Sequence, residues 1–167
     1  AAVERYERMI TADERIYFDS VEFEDIIDYY LSENKLKKVL EVIEIAREQH
    51  PFSIEFLLRK AHVISILGNL DSALEIVLEA EMLEPYNSEI LLVKGDIYDQ
   101  LERFEEAIKC YEEALKTTED KAEIYLNISY VHQNAGDFAK ALQYLQKLLD
   151  EEPENEQVLY EIAYCYD

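Results

Sequence analysis

The feature that most constrains this chain is a repeat of 34 residues. Pro51 and Pro85 are 34 residues apart, and Pro153 lies two further periods along the chain. Glu119 occupies the position where the intermediate proline belongs. Because proline cannot continue an α-helix, these positions mark boundaries between helical units. The spacing therefore predicts a tandem array of similar units.

Small and apolar residues recur with the same spacing of 34 residues. One series is mostly alanine, a second mostly small and a third mostly aromatic. They are Val39, Ala73, Ala107 and Ala141; Ile27, Ala61, Gly95, Ser129 and Ala163; and Tyr30, Ile64, Tyr98, His132 and Tyr166. Several independent series with one period indicate that each unit repeats one supersecondary structure. A single unit cannot bury its apolar face alone, so neighbouring units are predicted to share a continuous core.

Within each unit the apolar residues recur at helical spacing, in two stretches separated by a turn. Gly68 and Gly136 lie at that turn, where a left-handed residue is favourable for glycine, and Asn34 and Glu102 occupy the same repeat position. We therefore predict paired helices over 21–33 and 36–49, 55–67 and 70–83, 89–101 and 104–117, and 123–135 and 138–150, with a further helix over 156–166.

The N-terminal residues precede the first unit of the repeat. Residues 1–14 are predicted to form a helix with Val3, Tyr6 and Ile10 on one face. This helix either caps the first repeat or is the remnant of an earlier one. Residues 16–18 (Ile-Tyr-Phe) are expected to pack as a plug against the first repeat.

The repeating residues resemble the consensus of the tetratricopeptide repeat (TPR), a helix–turn–helix unit of the same length. The family's small residue in the first helix matches Ala61, Gly95, Ser129 and Ala163, its alanine early in the second helix matches Ala73, Ala107 and Ala141, and its proline matches Pro51, Pro85 and Pro153. The family's frequent tryptophan is replaced by Phe23, Leu57, Leu91, Tyr125 and Leu159. The resemblance covers about residues 20–167. It implies an all-α fold, a right-handed α-solenoid of antiparallel helix pairs known as the TPR superhelix.

This resemblance also implies a division of the chain. The expected parts are an N-terminal helix or cap (1–19), a divergent first repeat (20–53), a second (54–87), a third (88–121), a fourth (122–155) and the first helix of a fifth (156–167). The sequence is then expected to be an N-terminal or internal part of a longer multi-repeat protein of the bacterial type.

The charge of the chain restricts its partners. It has 16 basic and 38 acidic residues, a formal net charge of −22. Such a surface repels phosphate backbones, so neither nucleic acid nor an anionic membrane is expected as a partner, and a basic partner is favoured. The alternative is that the acidic residues only solvate exposed helix faces. No apolar run approaches the length of a membrane span.

We predict no catalytic, cofactor-binding or metal-binding residue, and hence no enzyme activity. His50, His62 and His132 form no metal-ligating pattern, and no glycine-rich phosphate loop is present. His132 takes the place of a core aromatic residue, which favours a structural role. Cys110 and Cys165 form no CxxC pair. Reduced thiols fit a cytoplasmic location.

In the TPR family the first helix of each pair lines a concave groove that binds partner peptides. Carried over to this chain, the groove residues are Glu55, Leu58, Arg59 and His62; Glu89, Leu92, Val93 and Asp96; and Glu123, Leu126, Asn127 and Tyr130. The lysine and asparagine that clamp a C-terminal carboxylate in chaperone-binding members are absent from these positions. We therefore predict a basic and apolar peptide or helix as the ligand. The leucines alternatively complete the packing, or the rest of the same protein fills the groove.

Three functions follow from this interpretation. The first is a non-catalytic protein-interaction scaffold. The second is a substrate-recruiting or regulatory arm of a larger enzyme whose catalytic domain lies outside this sequence. The third is an architectural self-assembly module that associates through the C-terminal helix, where Leu159, Ile162 and Tyr166 are predicted to face a missing partner helix.

Overall fold

The computed structural model describes residues 2–119 and 121–166. Those residues form ten helices and no strand. The helices are α1 (Ala2–Ala12), α2 (Ser20–Ser32), α3 (Leu36–Gln49), α4 (Ile54–Ile66), α5 (Leu70–Leu83), α6 (Ser88–Gln100), α7 (Phe104–Ala114), α8 (Ala122–Asn134), α9 (Phe138–Glu151) and α10 (Glu156–Tyr166). The predicted all-α class, built from successive helix pairs, is confirmed.

One predicted helix end within the repeats is wrong by more than one residue. The spacing predicted that α7 would run to residue 117, but it ends at Ala114. The N–H groups of Lys116 and Thr117 bond to the carbonyls of Glu113 and Ala114, three residues back, so the last turn is tighter than an α-helix. The boundary proline is missing from this repeat, and a short turn ends the helix in its place.

The turn inside each helix pair has one recurring geometry, as the repeat position predicts. Asn34, Gly68, Glu102 and Gly136 have φ values of 53°, 83°, 57° and 74°. In each turn the next residue donates its N–H to a carbonyl five residues earlier, at 2.8–3.1 Å; the pairs are Lys35–Tyr30, Asn69–Ile64, Arg103–Tyr98 and Asp137–His132. This pattern satisfies carbonyls that the helix end would leave unpaired. The local sequence therefore determines where each first helix stops.

The chain consists of two compact units, Ala1–Glu84 (unit 1) and Pro85–Asp167 (unit 2). In unit 1, α1 covers the first helix pair with the buried side chains of Tyr6 and Met9. The segment 13–19, which we call the strap, joins α1 to α2. Phe18 is fully buried against Phe23, with ring centroids 5.4 Å apart.

The predicted plug is only partly correct. Phe18 is buried and Ile16 half-buried, but Tyr17 between them is 67% exposed. Side chains alternate between two sides of an extended segment, so Tyr17 points away from the core that receives its neighbours. The guanidinium of Arg5 lies 4.2 Å from the centroid of the Phe18 ring and covers it.

Two close contacts between helices of unit 2 involve a glycine and a histidine. A Cβ atom on Gly95 would lie 2.7 Å from the Tyr111 ring, so only glycine allows this approach. Tyr111 is buried and donates its hydroxyl to the Asp96 carboxylate. His132 is buried and stacks on Tyr144 at 5.8 Å between ring centroids, in the structural role its repeat position predicts.

Candidate partner-binding faces

The predicted groove residues are divided between the two units. In unit 1 they lie on α4, beside the acidic residues of α2. We call Glu24, Asp28, Glu55, Leu58, Arg59 and His62 the unit 1 face. In unit 2 they lie on α6 and α8. We call Glu89, Leu92, Val93, Asp96, Glu123, Leu126, Asn127 and Tyr130 the unit 2 face.

The unit 1 face contains its own cation. The Arg59 guanidinium lies 2.5 Å from Glu24 Oε2 and 3.4 Å from Asp28 Oδ1, and these ion pairs join α4 to α2. Burial raises the pKa of the Glu24 carboxyl above its ordinary value, although Arg59 opposes the shift. Glu55 and His62 remain at least partly exposed. One of the three negative charges on this face is therefore balanced within the protein.

The three leucines of the predicted groove differ in burial. Leu58 is only 5% exposed. Leu92 and Leu126 are half-buried, with Leu92 against the core around Tyr111 and Leu126 against the core around Leu145. This placement supports the packing alternative at Leu58, whereas the two leucines of the unit 2 face present part of their surface to solvent. Val93 and Asn127 are also half-buried, and the carboxylates Glu89, Asp96 and Glu123 are at least partly exposed.

Uncharged side chains hold two carboxylates of unit 2, Glu161 and Asp99, at contacts between its helices. The Tyr130 hydroxyl donates to Glu161 Oε1 at 3.3 Å, and Gln133 Nε2 donates to Glu161 Oε2 at 3.1 Å, which joins α8 to α10. Gln157 Nε2 donates to the Tyr130 hydroxyl at 3.0 Å. These amide and phenol donors orient Glu161 and leave its charge in place.

A second contact of this kind joins α6 to α8. Asn134 Nδ2 donates to both oxygens of Asp99, at 3.2 and 2.9 Å. Burial raises the pKa of the Asp99 carboxyl, and the Asn134 hydrogen bond opposes that shift. Like Glu161, Asp99 is thus oriented by an uncharged side chain.

Sequence reasoning did not select these polar residues. Asp99, Gln133 and Asn134 lie one helical turn beyond the predicted groove residues Asp96 and Tyr130. The helical period alone would have extended the predicted face to them. Glu161 and Gln157 lie on α10, for which we predicted only an apolar edge.

The chemistry available at these faces is recognition through ion pairs, hydrogen bonds and apolar contact. Within residues 2–119 and 121–166, no cluster of three or more metal-ligating side chains occurs. Over the same residues, no helix has both the length and the apolar character needed to cross a membrane.

Comparisons with known proteins agree with the helix-pair architecture. Residues 95–136 match a family model described as "TPR repeat", and residues 134–167 match one described as "Tetratricopeptide repeat". Comparison with curated proteins found no significant match.

Several solved structures share the fold. A thermophilic TPR protein of Thermus thermophilus matches with a TM-score of 0.78 at 18% identity, over 98% of this chain and 88% of that one. PilF of Pseudomonas aeruginosa matches with a TM-score of 0.75 at 21% identity, over 86% of this chain and 65% of that one. MamA matches with a TM-score of 0.68 at 18% identity, over 86% of this chain and 79% of that one. At these identities the likeness concerns the fold alone.

Proposed function

Because the chain belongs to the tetratricopeptide-repeat family, we propose that it is a non-catalytic protein-interaction scaffold whose unit 2 face binds a basic and apolar segment of a partner protein. The repeat architecture supports protein binding in general. The single observation that supports the finer proposal is the composition of the unit 2 face, where half-buried apolar side chains lie among solvent-accessible carboxylates.

The apolar part of the unit 2 face provides the contact area. Leu92, Val93 and Leu126 are each only half-buried and can lose further exposed surface to a ligand. Tyr130 is half-buried with a hydroxyl positioned by Gln157, and tyrosine is enriched among the residues that dominate binding energy. These side chains suit the apolar residues of a peptide or helix.

The acidic part of the face sets the charge of the ligand. Glu89, Asp96 and Glu123 are accessible to solvent, and the whole chain has a net charge of −22. Carboxylates at the rim of an interface accelerate the association of a basic partner and repel an acidic one. A lysine- or arginine-containing segment is therefore the favoured ligand, and nucleic acid is disfavoured.

The unit 2 face suits such a ligand better than the unit 1 face. Arg59 already pairs with Glu24 and Asp28, and Leu58 is buried. A basic segment at the unit 1 face would have to displace or adjoin a resident cation.

Two further carboxylates border the unit 2 face. Glu161 accepts a hydrogen bond from Tyr130, and Asp99 lies one helical turn beyond Asp96. No such displacement of a cation is needed at either of them, because their described contacts are with amides and a phenol.

The test is the double charge reversal Glu89→Lys with Glu123→Lys. The partner is first captured from the source cells with the unaltered protein, identified, purified and titrated calorimetrically at several salt concentrations. We expect the double variant to bind at least about tenfold more weakly and with less dependence on salt.

A matched control is Glu75→Lys with Glu105→Lys. It makes the same change in net charge at exposed positions on α5 and α7. Unchanged affinity in the variant Glu89→Lys with Glu123→Lys, or an equal loss of affinity in the control, would contradict the proposal.

A second candidate function is self-assembly through α10. Leu159 is 45% and Tyr166 76% exposed, and Tyr160 and Tyr164 are exposed beside them, while Ile162 is half-buried. Sedimentation velocity should show a concentration-dependent oligomer that Leu159→Glu with Tyr166→Glu abolishes. A strict monomer at high protein concentration would contradict this candidate. The role as an arm of a larger enzyme stays a prediction.

A further inference from the structure

A second groove lies in unit 1, formed by α1, the strap and α3, and not by the two helices that bear the unit 1 face. It has a volume of about 590 Å³. Its apolar wall consists of Met9, Ile10, Ile16, Tyr17 and Ile45. We call it the α1–α3 groove. Its size is that of a small-ligand or side-chain pocket.

The groove is preformed because side chains of α3 and the residue after it hold the strap in place. The Phe18 N–H donates to Gln49 Oε1 at 2.9 Å, and Gln49 Nε2 donates to the Ile16 carbonyl at 3.0 Å. His50 Nε2 lies 2.9 Å from the Phe18 carbonyl oxygen. The strap is therefore ordered before a ligand binds, so little conformational entropy of the protein is lost on binding.

The end of α1 is equally well defined. Asp13 has a φ of 52°, and the Glu14 N–H donates to the Met9 carbonyl at 3.1 Å, which closes the helix end. This geometry sets the direction in which the strap leaves α1. Both edges of the groove are therefore held by hydrogen bonds within the protein.

Two large apolar side chains of this groove are exposed to solvent. Ile10 is 53% exposed on α1, and Tyr17 is 67% exposed on the strap. They border one concavity together with the half-buried Ile16 and Ile45. Apolar surface gathered around a cavity, in a chain with so many charged residues, is typical of a binding site.

The charges around the groove select the occupant. Asp13, Glu14 and Glu48 line it together with one cation, Arg15. Three carboxylates against one guanidinium give the rim a net negative charge, which repels an anionic ligand. We propose that the α1–α3 groove binds a short segment of a partner protein that has a large apolar side chain next to lysine or arginine.

Binding places the apolar side chain of the ligand against Ile10, Ile16 and Ile45. The adjacent cations of the ligand lie beside Glu14 and Glu48, which are accessible to solvent and hence able to move towards them. The amide of Gln49 is engaged by the strap, so apolar contact and the acidic rim provide the recognition. The chain would thus have a docking site that is separate from the unit 2 face.

The first experiment locates binding by NMR on the complete chain with labelled isoleucine methyl groups. The probes are a short synthetic peptide of lysine and leucine, the same peptide with glutamate for lysine, and the same peptide with serine for leucine. We expect only the lysine–leucine peptide to shift the Ile10, Ile16 and Ile45 signals. Unshifted signals, or equal shifts with the glutamate peptide, would overturn the proposal.

The second experiment measures the affinity of that peptide for variants by titrating the Ile16 and Ile45 methyl signals, which report on this groove. Ile10→Lys, and separately Glu14→Lys with Glu48→Lys, should each weaken binding about tenfold, since they remove apolar contact or reverse the rim charge. Ile66→Lys is the matched control for Ile10→Lys, because Ile66 is 52% exposed near the end of α4 and does not line the groove. Circular dichroism checks that the variants stay helical.

A further variant distinguishes binding at this groove from binding at the unit 2 face. Glu89→Lys with Glu123→Lys should leave the isoleucine methyl shifts of unit 1 unchanged. Equal affinities of Ile10→Lys and Ile66→Lys would overturn the α1–α3 proposal without bearing on the unit 2 face.

Discussion

The two units repeat the same helix positions, but the first helices of neighbouring pairs are linked through different groups. In unit 1 a guanidinium, that of Arg59, joins the first helices of neighbouring pairs by pairing with Glu24 and Asp28. In unit 2 the corresponding links are made by uncharged donors, with Asn134 on Asp99 and Gln133 on Glu161. Both arrangements tie helix pairs together, but the second leaves negative charge available to a ligand.

The units also differ at their ends. The N-terminal end of unit 1 is closed by α1 and the fully buried Phe18, whereas α10 of unit 2 exposes Leu159 and Tyr166. A repeat stack needs its terminal apolar face covered. Unit 1 therefore supplies its own cap. Because the buried Phe18 belongs to the strap, we expect the stability of unit 1 to depend on the strap.

The largest change in the free energy of unfolding is expected from Phe18→Ala. Removing a fully buried phenylalanine from the cap should lower the free energy of unfolding by about 3–5 kcal/mol, measured by urea denaturation. The neighbouring Tyr17→Ala change should lie within about 0.5 kcal/mol of the unaltered protein, because Tyr17 is exposed. Equal effects of the two changes would contradict the role of the strap as a cap.

Gly95→Ala should lower the free energy of unfolding by about 1–3 kcal/mol, because the added Cβ would meet the Tyr111 ring. Unit 1 has Ala61 and Val77 at the same repeat positions. The cost of Gly95→Ala should therefore shrink in a Tyr111→Val background. A double-mutant cycle by urea denaturation measures this coupling, and its absence would show that the ring contact is not the cause.

Arg59→Gln tests the ion-paired face of unit 1. We expect a loss of about 1 kcal/mol at neutral pH, since the half-buried Glu24 loses its cation. Burial already raises the pKa of Glu24, and removing Arg59 should raise it further. Because protonation removes the unpaired charge, the loss should shrink as the pH falls through the pKa of Glu24. A loss that is constant with pH would contradict an electrostatic origin.

The smallest change in stability is expected from Glu102→Gly. Glu102 has a φ of 57°, where the homologous turns use Gly68 and Gly136. Relief of this strain exceeds the entropy that glycine gains in the unfolded chain, so we expect stabilisation of about 0.5 kcal/mol in thermal unfolding. The reverse change Gly68→Glu should destabilise unit 1, and a neutral result for both would contradict the strain.

Much of the fold could be predicted because its signals are local. The left-handed turn position and the boundary prolines act on neighbouring residues, so the starts of the helices followed from the sequence. The end of α7 could not be predicted in this way, because Glu119 replaces the proline that marks the other boundaries. The candidate site was less predictable, since Leu58 and Leu92 share a repeat position but differ in burial.

By itself the sequence determined the helix pairs, their 34-residue step and the acidic surface, since backbone propensity and charge belong to each segment separately. The tertiary structure alone decided which carboxylates Arg59 pairs with, which leucines stay half-buried, and that α1, the strap and α3 enclose a groove. These features depend on atoms far apart in the chain. Side-chain burial and ion pairing are set by the neighbours that packing supplies, and those neighbours are not encoded at any single repeat position.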